Sequence, residues 1–327
     1  MDQQTLETTI EAVVCVPTFR RPDWLLRTLT SLKDQKSDIR FAIVVVDNDG
    51  ENPAGADVAR SYLTQANLPH AVFVEKEQGN CHAINRAFGE ARASFPKADF
   101  FLMIDDDEVA SPDWLNAIID LARREDADIV GGPVLRQFET PVSDNVKHHP
   151  LFQSIDGPSR RLDQIHGTGN CLIRRRVFDN LTSPEFDLRY NFMGGGDMDF
   201  FTRCRKAGFS TWWCETAIAY EFVPQDRTTP GFLMTRSIRT GSINYVIDRV
   251  HELSATQAFM KNLISLGLSF FRSAKLLFRT RSLLIATHPV LMSVGRIHAS
   301  IGSLPEPYKA GNTQESSNAA SKQNFSV

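Results

Sequence analysis

The sequence predicts an α/β fold, with a mostly parallel central sheet flanked by helices and a helical extension toward the C-terminal end. Two observations carry this prediction. Short apolar, β-branched runs near residues 12, 41, 71 and 100 alternate with segments of helical periodicity. Those runs are apolar almost without interruption, as strands must be when helices cover both faces of a parallel sheet.

Ala12-Val13-Val14-Cys15-Val16, closed by Pro17, reads as a buried first strand. Pro22-Asp23-Trp24 opens an amphipathic helix with Leu25, Leu26, Leu29 and Leu32 on one side. Residues 41–46 form a second buried strand, ended by the polar turn Asp47-Asn48-Asp49-Gly50. A helix near 56–65, a strand over 71–75 and a helix across 83–93 follow. Phe100-Phe101-Leu102-Met103-Ile104 then runs directly into Asp105-Asp106-Asp107. Ser111 is expected to cap the next helix, with Pro112 in its first turn. After Gly131-Gly132-Pro133-Val134 the alternation breaks down, and the next part is expected to pack beside the sheet and complete a cleft.

The expected organisation is a tail over 1–11, a catalytic domain over 12–250, a basic apolar helical region over 251–305 and a disordered polar tail over 306–327. Residues 253–305 carry Lys261, Arg272, Lys275, Arg279, Arg281 and Arg296 but no Asp or Glu. No uncharged run reaches the roughly 20 residues that span a bilayer. Such a segment fits peripheral attachment to an anionic membrane surface, or a helical pair docked on the catalytic domain. A net charge of −3 gives no bulk drive toward nucleic acid. Five dispersed cysteines read as buried thiols in a reducing compartment, not as a disulfide frame or zinc site. The polar N-terminus lacks the pattern of a secretory signal, so the expected location is cytoplasmic, extending to the inner face of the cell membrane.

Ligands of an open α/β sheet bind beyond the carboxyl ends of its strands. Three such ends here carry polar groups: Thr18-Phe19-Arg20-Arg21, Asp47-Asn48-Asp49 and Asp105-Asp106-Asp107. Adjacent carboxylates repel one another and raise each other's pKa, and a bound Mg²⁺ or Mn²⁺ removes that penalty. In an extended backbone Asp105 and Asp107 would share one side, with Asp106 facing away. A cation there would clamp a diphosphate and stabilise the charge it gains on leaving. Transfer to a hydroxyl then needs a general base, and Asp197 and Asp199 are the candidates, following a glycine run that admits close approach. Helix capping is the plainer alternative for Asp197. His148-His149 reads as a surface pair, and Trp212-Trp213 either stacks on a sugar or fills an apolar strand. No Gly-x-Gly-x-x-Gly follows the first strand, and residues 17–22 contain no glycine. That argues against a dinucleotide site and against sugar-nucleotide synthesis.

Taken in order, these motifs resemble the inverting family 2 glycosyltransferases of GT-A fold, most closely the bacterial exopolysaccharide glucosyltransferases of succinoglycan type. The motifs are Pro17-Thr18-Phe19-Arg20-Arg21-Pro22, Val46-Asp47-Asn48-Asp49, Ile104-Asp105-Asp106-Asp107-Glu108, Gly131-Gly132-Pro133-Val134, Gly169-Asn170 and Gly195-Gly196-Asp197-Met198-Asp199-Phe200. The resemblance implies a hexosyltransferase moving a sugar from a nucleoside-diphosphate donor, such as a UDP-hexose, to a glycan or lipid-linked oligosaccharide acceptor. It implies Thr18 and Arg20 beside the nucleotide, Asp47 at its base and Asp105 near the ribose, with Asp106 in the same group. Asp107 would bind Mn²⁺ or Mg²⁺, and Asp197 would be the base. Asp199, Arg236 and Arg239 become candidate acceptor or diphosphate contacts, Arg through its fork of donors. Three positions depart from the pattern. Gly196 stands where an acid usually precedes the base, Ile84-Asn85-Arg86 where Ala-Arg-Asn is expected, and Tyr220 where relatives often carry His. These departures leave one alternative, a catalytically inactive nucleotide-sugar-binding subunit of a glycan assembly complex.

Overall fold

The computed structural model describes residues 10–302; the predicted end tail, and all but Ile10 and Glu11 of the predicted N-terminal tail, lie outside the described residues. Four parallel strands open the fold: β1 (Ala12–Thr18), β2 (Phe41–Asp47), β3 (His70–Val74) and β4 (Phe100–Ile104), ordered β3-β2-β1-β4. The helices between them are α1 (Pro22–Lys33), α2 (Ala54–Gln65) and α3 (Asn80–Ser94), with α4 (Trp114–Arg124) following β4. Pro22 occupies the first turn of α1, where its missing N–H costs nothing. Val14, Val16, Leu25, Leu29, Leu102 and Ile118 share one core cluster, so the apolar strands are covered as their composition requires.

Beyond β4 the chain adds β5 (Glu108–Ala110), β6 (Ile129–Gly131), β7 (Val134–Phe138), β8 (Arg160–Leu162) and β9 (Asn170–Arg174). It continues with α5 (Asp144–Lys147), α6 (Arg175–Asn180), α7 (Gly196–Lys206), β10 (Thr211–Trp213) and β11 (Ala219–Val223). This part does not merely pack beside the sheet. Four of its strands extend the sheet as β3-β2-β1-β4-β9-β6-β10-β8, and β9 runs antiparallel to both β4 and β6. A second sheet, β5-β11-β7, flanks the exit of β4. Ser111 is not a helix cap: its N–H donates to Ile218 O at 2.9 Å, continuing the β5–β11 pairing, and α4 starts only at Trp114. Trp213 is buried and Trp212 packs on the core, which is the apolar-strand alternative.

The chain divides into two compact units. One comprises the part up to Gln137, Ser154–Leu188 and Gly196–Phe222; the other comprises Phe138–Gln153, Arg189–Gly195 and the part from Val223 onward. The second unit is built on α8 (Pro230–His251), α9 (Ala255–Thr280) and α10 (Leu283–Ser300). α9 opens with a capping box in which Ser254 and Gln257 satisfy each other's backbone N–H, and it ends at Arg281 in a left-handed turn, φ 52°. α8 and α10 meet almost backbone to backbone. A Cβ built on Gly241 would lie 1.9 Å from Met292 O, and one on Gly295 would lie 1.9 Å from Ile238 O. α8, which the sequence attached to residues 12–250, therefore packs with the C-terminal helices.

Two further expectations are corrected in this unit. His148 is exposed, but His149 is buried with its ring edge-to-face against His288, centroids 5.2 Å apart, so the two histidines are not a surface pair. Burial, with the neighbouring His288 charge, holds His149 down at about 4, so it packs as a neutral ring. Gly194 and Gly195 have φ of 87° and 93°, and a Cβ on Gly195 would strike Ile243 Cγ2 at 2.5 Å. These glycines answer a left-handed backbone and a close neighbour. The five cysteines are free and buried, as expected, and no described helix is long and apolar enough to cross a membrane.

Candidate active site

The parallel strands deliver Thr18, Asp47 and Ile104 to one edge of the sheet, and the reversal of β9 brings its first residue, Asn170, opposite Ile104. The segments before and after these positions meet there. Asp105-Asp106-Asp107 is not extended. The backbone turns, with the Glu108 N–H donating to Asp105 O at 3.2 Å. The expected split of Asp105 and Asp107 to one side and Asp106 to the other is thereby replaced. Asp106 and Asp107 share Arg21, whose Nη1 lies 3.3 Å from Asp106 Oδ1 and 2.8 Å from Asp107 Oδ2. Asp106 also accepts from the Thr18 hydroxyl at 2.7 Å and from the Phe19 N–H at 3.4 Å.

The acid turn is held from both flanks. The Thr28 hydroxyl on α1 lies 2.6 Å from Glu108 O and 3.0 Å from Asp106 O, and the Phe222 N–H donates to Asp107 O at 3.2 Å. Tyr220 sits in β11 opposite Val109. Glu108 is buried beneath the turn and accepts the Asp105 N–H at 3.3 Å. A Cβ on Gly169 would come within 2.7 Å of Glu108 Oε1 and 2.9 Å of Asp105 Oδ2, so only glycine leaves both carboxyls in place. Burial, then the charges of Asp107 and Asp106, pushes Asp105 up to about 7. Burial pushes Asp106 up to about 6 even though Arg21 opposes it. Glu108 is raised well above the usual range by burial and by Asp105 and Asp107.

The side chains are therefore gathered, not splayed into solvent. Among the described residues no three His, Cys, Asp or Glu side chains converge into a ready metal cage. Hard oxygen donors of raised proton affinity, only partly balanced by a guanidinium, do fit a divalent cation that keeps water and phosphate as its remaining ligands.

Asp197 lies in the first turn of α7, which begins at Gly196, so it is not the residue that caps the helix. Its Oδ1 accepts the Met198 N–H at 2.8 Å, and Oδ2 would lie 3.9 Å from a Cβ on Gly167, just ahead of β9. Burial raises Asp197 to about 6, and its charge in turn is felt at Asp105. Asp199 is buried and ion-paired to Arg203 Nε at 2.8 Å; Arg203 also donates to Glu185 O at 2.8 Å, so Asp199 anchors α7 to that loop.

At the second strand end, Asp47 is buried. It accepts the Asp49 N–H and the Ala56 N–H, both at 3.0 Å, at the start of α2. Arg20, in a left-handed conformation with φ 57°, reaches Asp49 Oδ2 at 2.7 Å. Asn48 accepts the Gly79 N–H at 2.7 Å and donates to Glu77 O at 2.8 Å, fixing the approach to α3. Arg86 pairs with Glu90 at 2.9 Å along α3, whereas Asn85 clamps Phe186 through its N–H at 2.7 Å and its carbonyl at 2.8 Å. Arg236 and Arg239 are half-buried on α8 in the other unit.

Arg21 and Asn170 lie within the sequence motifs without a role legible there, and Thr28 lies outside them. Asn170 spends its whole amide: Oδ1 accepts from Trp114 Nε1 at 2.8 Å, and Nδ2 donates to Ala217 O at 2.7 Å and Pro133 O at 3.0 Å. Gly132 is tied to the same knot, since a Cβ there would lie 2.2 Å from Ala217 O. The signal available was the isolated polar residue opening an apolar strand after Gly169.

Comparison with known proteins shows the family and the fold. Over residues 13–182, more than half of the chain, the sequence matches the model for glycosyl transferase family 2. The succinoglycan biosynthesis protein ExoM of Rhizobium meliloti (strain 1021) is 29% identical over 250 residues, 74% of this chain and 75% of the relative. Among solved structures, the mannosyltransferase PcManGT of Pyrobaculum calidifontis, in complex with GDP-Man and Mn²⁺, superposes with a TM-score of 0.53 at 16% identity, over 90% of this chain and 72% of that one. S. aureus TarS 1-349 in complex with UDP gives 0.50 at 14% identity, over 90% and 92%. At such identities these two likenesses speak for the fold, GT-A, which the sheet and helices already display. The chain belongs to glycosyl transferase family 2 and is a glycosyltransferase.

Proposed function

We propose that the protein transfers a hexose, from a UDP-hexose, to a hydroxyl of a lipid-linked glycan at the inner face of the cell membrane, with inversion, in exopolysaccharide biosynthesis. The observation that carries this reading is the pairing, at one sheet edge, of a gathered acid turn with a separate carboxyl, Asp197, of raised proton affinity. The likeness to ExoM, a succinoglycan biosynthesis protein by name, supports the pathway class.

Thr18, Arg20, Asp47, Asp105 and Asp106 form the donor side. Asp106, bonded to Thr18, Phe19 and Arg21, keeps the exits of β1 and β4 in register. Asp107 would hold a Mn²⁺ or Mg²⁺ ion together with donor phosphates and water, supplying charge stabilisation for the departing diphosphate. Asp197 takes the proton of the acceptor hydroxyl as its oxygen attacks the anomeric carbon, and the bond to the diphosphate breaks on the opposite face. With a midpoint near 6 it is ionised at neutral pH and yet more basic than an ordinary aspartate. Asp199 positions Asp197 by anchoring α7.

The test is release of UDP from UDP-hexoses in the presence of Mn²⁺ or Mg²⁺ and a lipid-linked acceptor. Asp107→Ala and Asp197→Asn should each lower turnover by about a hundredfold or more. Full activity in either variant refutes the corresponding assignment. Metal-dependent UDP binding without transfer to any acceptor would favour the inactive binding subunit, the reading that Gly196 and Tyr220 support.

A further inference from the structure

α9 is inside out. Its inner face carries Ala258, Asn262, Ser265 and Ser269. Asn262 accepts from Arg296 Nε at 3.0 Å, and Ser265 lies 3.2 Å from Ser293 on α10. Its large apolar side chains point the other way. Phe259, Leu263, Ile264, Phe270, Phe271 and Phe278 are all exposed, Phe271 to 71% and Phe278 to 88%. At 100° per residue these six fall within one broad sector of the helix, and Lys261, Arg272, Lys275 and Arg279 form a ridge along one border of it. Arg281 and Leu283, the latter 70% exposed, prolong both features past the end of the helix. An apolar stripe of this length is not tolerated on a surface that meets only water.

We infer that the outer face of α9 is a docking surface for an anionic phospholipid bilayer, with the helix lying in the plane of the interface. Charge selects this occupant. Lys261 pairs with Asp248 of α8 at 2.9 Å, but residues 253–302 contain no acid to oppose Arg272, Lys275 and Arg279, so two copies of the face in contact would set like charges together. Anionic headgroups neutralise that ridge while the phenylalanines enter the acyl boundary. The chain after Gly302 is dominated by Ser, Asn, Gln, Ala and Lys and offers little apolar surface to cover the stripe instead. This inference stands apart from the sugar-transfer reaction and gives the attachment expected from composition a specific surface.

Sedimentation of the full-length protein with phosphatidylcholine vesicles, with and without phosphatidylglycerol, tests it. The protein should pellet with the mixed vesicles and bind pure phosphatidylcholine about tenfold less. Phe271→Ser/Phe278→Ser should weaken binding to the mixed vesicles by about tenfold or more, and Lys275→Gln/Arg279→Gln should remove the preference for them. A bimane label introduced through Phe278→Cys reports insertion directly as a blue shift, because the native cysteines are buried. Protein that stays in the supernatant overturns the inference, as does binding unchanged in the phenylalanine variant. So does a dimer in solution that the phenylalanine variant dissociates, which would make a second copy the occupant. UDP release, measured on the same samples, separates the two readings: turnover without vesicle binding removes the docking surface and leaves the transferase.

Discussion

Stability of the metal-free protein should fall as the pH is raised from about 5 to about 8. Burial first, then the charges of Asp107 and Asp106, moves the Asp105 midpoint from 3.8 to about 7 in the folded chain. In the unfolded chain the same carboxyl releases its proton near the ordinary value. Between those values the native state holds more protons than the unfolded one, so each increment of pH favours unfolding. The loss starts above the unfolded midpoint and is complete once pH passes the folded one. Across the whole interval it amounts to about 4 kcal/mol at 1.36 kcal/mol per pH unit. Asp105 keeps some exposure, and water screens part of the penalty, so about 2 kcal/mol is the working figure. For a chain of this size that is a drop in Tm of about 3 °C. Asp106 and Asp197, both raised to about 6, act in the same sense. The assay is thermal unfolding with a chelator across this pH range, repeated with Mn²⁺ and with Asp105→Asn. Both changes should flatten the slope. A Tm that is level or rises with pH in the chelated wild type refutes the electrostatic reasoning.

Arg21→Gln removes the guanidinium between Asp106 and Asp107. With the Arg21 side chain 38% exposed, solvent screening leaves a cost of about 1–2 kcal/mol without metal, with Mn²⁺ restoring part of the loss in the same melting assay. Asn170→Leu leaves the Trp114 indole N–H and the Pro133 and Ala217 carbonyls without their partner. A loss of about 3–5 kcal/mol in denaturant unfolding is expected, with UDP release falling alongside it. Gly241→Val would drive a side chain into the Met292 carbonyl. Hydrogen exchange should then show loss of protection along α8 and α10 before any change around β1–β4, an effect of about 3 kcal/mol.

The first half of the fold was legible because the strands are nearly continuous apolar runs and α1 repeats its leucines on one side. The acids were legible because they follow β4 without a spacer. Three things were not. The antiparallel course of β9 has no mark in a run such as Asn170-Cys171-Leu172-Ile173, since buried strands of either direction look alike. The turn at Asp105 is set by hydrogen bonds from Thr28 and Phe222, which come from elements far along the chain. The burial of His149 depends on His288, more than a hundred residues away, and no local pattern announces such a partner.

The reversal of β9 also bears on how such an enzyme diversifies. In a purely parallel sheet every segment at the ligand-bearing edge leaves a strand. Here one segment, ending in Gly167-Thr168-Gly169, arrives at that edge instead, and it joins β9 at Asn170, whose amide is fixed to Pro133 and Ala217. The stretch ahead of it can lengthen, shorten or change chemistry without disturbing the registers of β1, β2 and β4. Selection can therefore reshape that stretch while the strand ends that carry Thr18, Asp47 and the acid turn stay as they are.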